Sequence, residues 1–116
     1  MILDTFTLTD RVAIVTGAGQ GLGEAIATAM GEAGACVVLT GRKRATLDAV
    51  AARITDGGGK ALVVPGDVSK RGDHKRIEDA ALNKWGRIDI LVNNAGTNVR
   101  VPTEDYREED WDTVVN

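Results

Sequence analysis

A glycine-rich turn between an apolar run and a helical pattern constrains this chain more than any other feature of its sequence. The run is Val12-Ala13-Ile14-Val15, and the turn after it reads Thr16-Gly17-Ala18-Gly19-Gln20-Gly21-Leu22-Gly23. Backbone N–H groups at the start of a helix point outward, and the helix dipole favours a negative charge there. Glycine lets the main chain turn tightly and approach a phosphate closely, where a Cβ would be in the way. Strand, glycine turn and helix in this order predict a site for the pyrophosphate of a dinucleotide.

The spacing of the glycines shows which of the known phosphate-binding patterns this turn fits. The common G-x-G-x-x-G fingerprint fails in both registers, because Leu22 or Glu24 stands where its third glycine should be. A P-loop fails as well, because no Gly-Lys-Ser/Thr sequence follows. The pattern that fits is G-x-x-x-G-x-G, formed by Gly17, Gly21 and Gly23. Taken alone, this pattern is also compatible with a glycine-rich turn that binds nothing.

Apolar runs alternate with helical stripes along the rest of the chain. The runs predict strands over residues 12–15, 36–39, 61–64 and 88–92. Apolar residues at helical spacing predict helices over residues 22–33, 47–54 and 77–85, and a fourth helix near residues 108–111. This alternation predicts one α/β domain over residues 1–116, a Rossmann-type doubly wound parallel sheet that stops after its fourth strand. We expect that fourth strand to leave an open apolar edge.

Composition excludes several classes of function. The net charge of −3 gives no indication of binding to nucleic acid or to an anionic membrane. No apolar run approaches the length of a membrane span. Residues 1–10 contain Asp4 and no basic residue, unlike a signal or transit peptide. The single cysteine, Cys36, is expected to be a buried hydrophobe, and it suits a reducing, cytoplasmic location.

The turn after the second predicted strand indicates which dinucleotide is bound. Folds that prefer NAD place an acidic residue about 20 residues past the glycines, where it binds the ribose 2′-hydroxyl. Here the strand ends in Thr40-Gly41-Arg42-Lys43-Arg44, without an acidic residue. The planar guanidinium of Arg42 suits the additional phosphate of NADP. We therefore expect NADP to bind more tightly than NAD; the alternative is a solvated basic turn.

Two more stretches follow strand ends, at the edge where open α/β sheets bind ligands. Gly66-Asp67-Val68 comes after the third strand, and Asn93-Asn94-Ala95-Gly96 comes after the fourth. An aspartate can accept a hydrogen bond from an adenine amino group, and asparagine side chains can tie neighbouring strand ends together. Either stretch on its own is equally compatible with an ordinary turn.

Together and in this order, the three stretches closely resemble the classical short-chain dehydrogenase/reductase family. The resemblance covers essentially the whole chain, and it is to the N-terminal, cofactor-binding half of such enzymes. It implies that the glycine turn contacts the pyrophosphate through Gly17, Gly19, Gln20, Gly21, Leu22 and Gly23. It also implies an adenine site at Asp67 and Val68, a ribose site at Asn94, Ala95 and Gly96, and contact of Arg42 with the 2′-phosphate. Gln20 departs from the pattern, because many NADP-preferring members have a basic residue there.

The family's catalytic residues do not appear in this chain. They are a serine, a Tyr-x-x-x-Lys pair and an asparagine in the fourth helix. The only serine, Ser69, adjoins the expected adenine site, and the only tyrosine, Tyr106, has Asp110 four residues on. Asn116 lies two positions short of the family's asparagine and is assigned no catalytic role. No catalytic residue is therefore predicted here.

The resemblance implies the cofactor-binding half of an NADP-dependent oxidoreductase, a homo-oligomer that transfers hydride between the nicotinamide and a carbonyl or alcohol carbon. The alternative is a non-catalytic module that binds NADP. Residues 94–102 resemble a loop in members that act on sugar acids, such as gluconate dehydrogenases. Arg100 would either pair there with a substrate carboxylate or, the interpretation that we favour, be an ordinary arginine of a surface loop. A 3-oxoacyl-thioester reductase is the competing assignment. No metal site is expected, and His74 is predicted to lie at a solvated helix start.

Overall fold

The computed structural model describes residues 8–67 and 70–94, together with the backbone of residues 98–100. This part of the chain alternates strands and helices as the apolar pattern predicts. The elements are β1 (Val12–Thr16), α1 (Gly21–Glu32), β2 (Cys36–Thr40), α2 (Arg44–Asp56), β3 (Lys60–Val63), α3 (Arg71–Trp85), β4 (Ile90–Asn93) and β5 (Asn98–Arg100). The expected fourth helix near residues 108–111 lies outside the described residues.

The strands form one sheet in the order β3-β2-β1-β4-β5, and its first four strands are parallel. The chain first winds outward from β1 through β2 to β3, and then crosses back to place β4 on the other side of β1. The direction of winding therefore reverses between β1 and β4, which confirms the doubly wound fold. Such a reversal opens a crevice at the carboxyl ends of the two strands, where ligands bind in this class of fold.

Alternate residues of β1, β2 and β4 supply two separate cores. Ala13 and Val15 of β1 point to one face, where α1 and α2 cover them with side chains such as Leu47 and Val50. The intervening Ile14 points to the other face and packs with Ile77 of α3. Burial on both faces explains why these strands are continuous apolar runs rather than alternating ones.

The edge of the sheet beyond β4 differs from the prediction. The short strand β5 pairs antiparallel with β4, with Val92 opposite Val99 and Asn93 opposite Asn98. The expectation of an open edge at the fourth strand was therefore wrong. β5 was missed because residues 98–100 include only one apolar residue, Val99, and so carry no strand signal.

One buried residue also contradicts the sequence-based expectation. His74 is only 3% exposed, although it lies in a polar stretch and was predicted to be solvated. It precedes Ile77 by three residues and Ala81 by seven, so all three side chains share the helix face that packs on the sheet. Cys36 is buried, as expected.

The sequence predicts neither a membrane-spanning segment nor a metal site. Within the described residues, none of the helices is long and apolar enough to cross a bilayer. The same residues contain no cluster of histidine, cysteine and carboxylate side chains that could hold a metal ion.

Candidate functional site

A cleft of about 390 Å³ lies at the carboxyl ends of the parallel strands, where the winding reverses. The turns that follow β1, β2, β3 and β4 all contribute to its walls. The lining residues are Thr16, Gly17, Gly19, Gln20, Thr40, Gly41, Arg42, Lys43, Thr46, Leu47, Gly66, Asp67 and Asn94. The structure thus brings together residues that are as far apart in sequence as Thr16 and Asn94.

The glycine turn forms the wall of the cleft next to β1 and requires glycine at particular positions. Gly17 and Gly21 have φ angles of +61° and +59°, in the left-handed region that other residues adopt at a cost. A Cβ at Gly23 would lie 2.1 Å from the carbonyl oxygen of Gly17, so only glycine lets α1 pack this closely against the turn. At Gly21, by contrast, a Cβ would meet nothing within 4 Å.

The start of α1 is open to an anion. The helix begins at Gly21, and the preceding Gln20 makes no side-chain hydrogen bond that caps it. The first N–H groups of a helix have no intrahelical acceptor, and the helix dipole adds positive potential there. An anion at the glycine turn would therefore be favoured by the start of α1.

Hydrogen bonds tie the glycine turn to the end of β4. The Thr16 hydroxyl donates to the carbonyl oxygen of Val92 at 3.2 Å and accepts from the backbone N–H of Asn94 at 3.0 Å. The Asn94 side chain donates to the carbonyl oxygen of Gly17 at 3.5 Å. Asn94 therefore holds the turn in place as well as lining the cleft. The bridging role of Thr16 was not predicted, because a threonine at a strand end carries no distinctive signal.

The opposite wall of the cleft carries a pair of charged side chains. Arg42 follows β2 and Asp67 follows β3, and their side chains form an ion pair with an Nη2–Oδ2 distance of 3.6 Å. The Arg42 side chain is 80% exposed and that of Asp67 is 26% exposed. The two turns are also joined through the backbone, because Gly66 N–H donates to the Gly41 carbonyl oxygen at 2.8 Å.

Two side chains of α3 form hydrogen bonds to the backbone of the turn that carries Asp67. The Asp73 carboxylate accepts a hydrogen bond from the backbone N–H of Asp67 at 2.8 Å, and Arg76 donates to the carbonyl oxygen of Pro65. The bond from Asp67 is the main reason that the pKa of Asp73 lies below its usual value, and Arg76 and Lys70 lower it further. Sequence reasoning missed Asp73, since an acidic residue in the first turn of a helix is common whatever its contacts.

The sequence-predicted site residues divide into three groups. The structure brings six of them together around the cleft: Gly17, Gly19, Gln20, Arg42, Asp67 and Asn94. The other three residues of the glycine turn, Gly21, Leu22 and Gly23, are not among those that line the cleft. Leu22 is 56% exposed, a Cβ at Gly21 would meet nothing within 4 Å, and Gly23 packs against the turn itself. Val68, Ala95 and Gly96 lie outside the described residues.

The cleft suits a polar ligand that approaches the backbone closely. The glycine turn forms one wall of the cleft, and the guanidinium of Arg42 adds a positive charge on the far wall. The buried hydroxyl of Thr40, on the cleft wall, has no hydrogen-bond partner among the residues that the structure describes. A ligand that offers phosphate oxygens and hydroxyl groups would match these donors and acceptors.

Comparison with known proteins identifies the family to which this arrangement belongs. The family model for short chain dehydrogenases matches residues 11–116. This chain is a member of the short-chain dehydrogenase family. The resemblance inferred from the three turns is therefore confirmed.

Relatives and solved structures of this short-chain dehydrogenase family agree with the assignment. An uncharacterized oxidoreductase of Staphylococcus aureus is 41% identical over 109 residues, which are 94% of this chain and 46% of that protein. A crystal structure of a short-chain type dehydrogenase/reductase from Mycobacterium marinum has a TM-score of 0.76 and 35% identity, over 98% of this chain and 46% of that one. The chain thus spans less than half the length of these relatives.

One solved relative contains a nucleotide. A candidate D-mannonate oxidoreductase from Haemophilus influenza, solved with bound NAD, has a TM-score of 0.77 and 30% identity, over 84% of this chain and 35% of that one. Membership of the short-chain dehydrogenases implies a nicotinamide dinucleotide as the cofactor, and it does not distinguish NAD from NADP.

Proposed function

We propose that this chain forms the cofactor-binding part of a short-chain dehydrogenase that uses NADP in preference to NAD. The observation that carries the proposal is the composition of the cleft, which has a glycine turn and a helix start on one wall and Arg42 on the other. The β2–α2 turn that provides this wall contains no carboxylate to bind a ribose 2′-hydroxyl, since it reads Gly41-Arg42-Lys43.

Each part of the cleft would hold a different part of the nucleotide. The turn from Gly17 to Gly23 would bind the pyrophosphate through backbone N–H groups, with the dipole of α1 favouring its charge. Asp67, with Val68, would border the adenine ring. The stretch from Asn94 to Gly96 would line the adenosine ribose, while the Arg42 guanidinium would pair with the 2′-phosphate.

When bound, NADP supplies a hydride donor or acceptor for a small-molecule carbonyl or alcohol. These 116 residues would bind and orient the NADP. They would not move the accompanying proton, because they contain no Tyr-x-x-x-Lys pair. We infer that the proton-transferring groups come from residues beyond this sequence, in a cytoplasmic homo-oligomer. A sugar acid or a 3-oxoacyl thioester would be the substrate.

A non-catalytic NADP-binding module is the second candidate, because the cleft could hold the nucleotide without any catalytic residue. The two candidates are separated by hydride transfer. An oxidoreductase reduces NADP+ when sugar acids are added and oxidises NADPH when keto sugar acids or 3-oxoacyl thioesters are added, as followed by nicotinamide absorbance. A binding module holds NADPH without consuming it.

The cofactor preference is tested by replacing Arg42 with aspartate. We expect Arg42→Asp to weaken NADP binding by roughly tenfold or more, because a charge-assisted hydrogen bond contributes about 1.5–3 kcal/mol and the new carboxylate repels the phosphate. NAD binding should change less, so the preference for NADP narrows or reverses. Both dissociation constants are measured by calorimetric titration.

Arg44→Asp is the matched control for this variant. Arg44 lies in the same basic turn but pairs with Asp48 at 3.6 Å and is not among the residues that line the cleft. The same change of charge there should leave the ratio of the two affinities within about twofold. Equal affinities for NADP and NAD in the unsubstituted protein would contradict the proposed preference.

A further inference from the structure

The ion pair between Arg42 and Asp67 places a negative charge beside the group that the proposed function assigns to the 2′-phosphate. The Arg42 Nη2 atom lies 3.6 Å from Asp67 Oδ2. Backbone hydrogen bonds fix the turns that carry them, from Gly66 N–H to the Gly41 carbonyl oxygen at 2.8 Å and from Val64 N–H to the Leu39 carbonyl oxygen at 3.0 Å. The proximity of the two charges is thus set by the sheet and not by the side chains alone.

Asp67 is itself held in a fixed position. Its backbone N–H donates to Asp73 at 2.8 Å, and its carbonyl oxygen accepts from Lys70 N–H at 2.9 Å. These bonds hold the backbone of Asp67, from which the carboxylate extends, at the wall of the cleft. The Arg42 side chain is the more exposed member of the pair, at 80% against 26% for Asp67.

The Asp67 carboxylate beside Arg42 affects the binding of the two dinucleotides differently. A phosphate on Arg42 has to compete with the Asp67 carboxylate for the guanidinium, and the two anions repel each other at short range. A ribose 2′-hydroxyl carries no charge, so it meets no such repulsion and leaves the ion pair intact. The same carboxylate therefore disfavours NADP without disfavouring NAD.

We propose that Asp67 is a specificity-determining residue, whose carboxylate competes with the 2′-phosphate for Arg42 and limits the preference for NADP over NAD. This inference rests on the proposed function, because it presumes that the cleft binds adenine nucleotides with Arg42 at the 2′ position. It assigns to Asp67 a role in addition to bordering the adenine ring.

The test compares two nucleotides that differ only in the 2′-phosphate, adenosine 2′,5′-bisphosphate and adenosine 5′-monophosphate. Asp67→Asn removes the charge but keeps an oxygen that accepts a hydrogen bond from adenine. We expect this variant to raise the affinity ratio of bisphosphate to monophosphate by about three- to fivefold, the upper part of the range seen for exposed charge pairs. The ratio is measured by calorimetric titration of the purified protein at low ionic strength.

Asp48→Asn is the matched control. It removes a carboxylate that pairs with Arg44 on α2, outside the cleft, and should leave the ratio within about twofold. Combining Asp67→Asn with Arg42→Gln provides an independent check. Without the guanidinium only the direct repulsion between carboxylate and phosphate remains, so the effect of Asp67→Asn should be clearly smaller than in the presence of Arg42.

The outcomes separate the inference from the proposed function. An unchanged or lower ratio in Asp67→Asn, with both nucleotides still bound, would overturn the inference and leave the proposed function standing. An effect of the same size in the Arg42→Gln background would also overturn it. Failure of the unsubstituted protein to bind either nucleotide would contradict the proposed function, and the inference would fall with it.

Discussion

Alanine at Gly23 should lower the free energy of unfolding by about 3 kcal/mol, at the upper end of what an added methyl group costs in a packed site. Its Cβ would lie 2.1 Å from the Gly17 carbonyl oxygen and 2.8 Å from the Gly17 carbonyl carbon. These are backbone atoms, and they cannot turn aside as a flexible side chain could. The neighbouring Ala18 N–H is also bonded to the Thr40 carbonyl oxygen at 3.1 Å, which restricts movement of the turn.

The same substitution should abolish measurable nucleotide binding, because any relief of the clash displaces the glycine turn from the cleft. Gly72→Ala is the matched control: Gly72 lies in the first turn of α3, and a Cβ there would meet nothing within 4 Å. It should be neutral or stabilising by up to about 1 kcal/mol, because alanine favours helix more than glycine does. Urea unfolding followed by circular dichroism measures both variants. Equal stability of the two would show that α1 does not depend on close packing at Gly23.

Asp89→Asn should destabilise the protein by about 1–3 kcal/mol near neutral pH, which is the contribution expected of hydrogen bonds to a charged group. The Asp89 carboxylate accepts from Val12 N–H at 2.8 Å, and its own N–H donates to the Val12 carbonyl oxygen at 2.9 Å. It also accepts from Arg87 at 2.7 Å. Asp89 thus connects the amino end of β1 to the segment before β4. This contact lies at the amino ends of the strands, whereas the cleft lies at their carboxyl ends.

The effect of Asp89 should depend on pH in a definite direction. Burial raises the pKa of Asp89, but the hydrogen bonds from Arg87 and Val12 and the charges of Arg87 and Arg11 outweigh it and leave the pKa lowered. A lowered pKa in the folded state means that the stabilisation is fully present above the unfolded value of about 3.9 and disappears as the pH falls through the folded value. The difference between the parent and Asp89→Asn should therefore shrink in strongly acidic solution.

The control for Asp89 is an exposed carboxylate. Asp79 pairs with Lys75 at 3.7 Å on the surface of α3, and Asp79→Asn should cost no more than about 0.5 kcal/mol at any pH. Unfolding free energies are measured between pH 3 and pH 7, by urea titration, with all three proteins in parallel. A cost for Asp89→Asn that is equally small, or that does not change with pH, would contradict the role assigned to this carboxylate.

The parallel sheet could be predicted from the sequence because β1, β2 and β4 are buried on both faces and β3 is partly buried. Each strand from β1 to β4 contains an uninterrupted apolar run, such as Val37-Val38-Leu39, and a helical stripe separates it from the next. The alternation admits few arrangements other than a doubly wound sheet. The ends of the elements were predicted less accurately. The sequence predicted the fourth strand over residues 88–92, whereas β4 spans Ile90–Asn93, and the Asp89 carboxylate before it binds Val12 N–H.

The details that escaped prediction depend on contacts between distant parts of the chain. His74 belongs to a polar stretch, and only the packing of α3 on the sheet shows that its side chain is buried. The pair of Arg42 and Asp67 joins turns that follow different strands, and no local pattern indicates that their side chains meet. The order of strand, glycine turn and helix was predicted correctly, since all three are visible within a short stretch of sequence, and the binding of a pyrophosphate there stays a prediction.

The central claim, that the cleft binds a nicotinamide dinucleotide, is tested most directly by NMR titration of the 15N-labelled protein with NADP. The account predicts saturable shifts of the amide signals of Gly17, Gly19 and Gly41, which line the cleft, and no shift at Gly86, which precedes β4 at the opposite edge of the sheet. Saturable shifts confined to other parts of the protein, or no saturable shift at all, would contradict the claim.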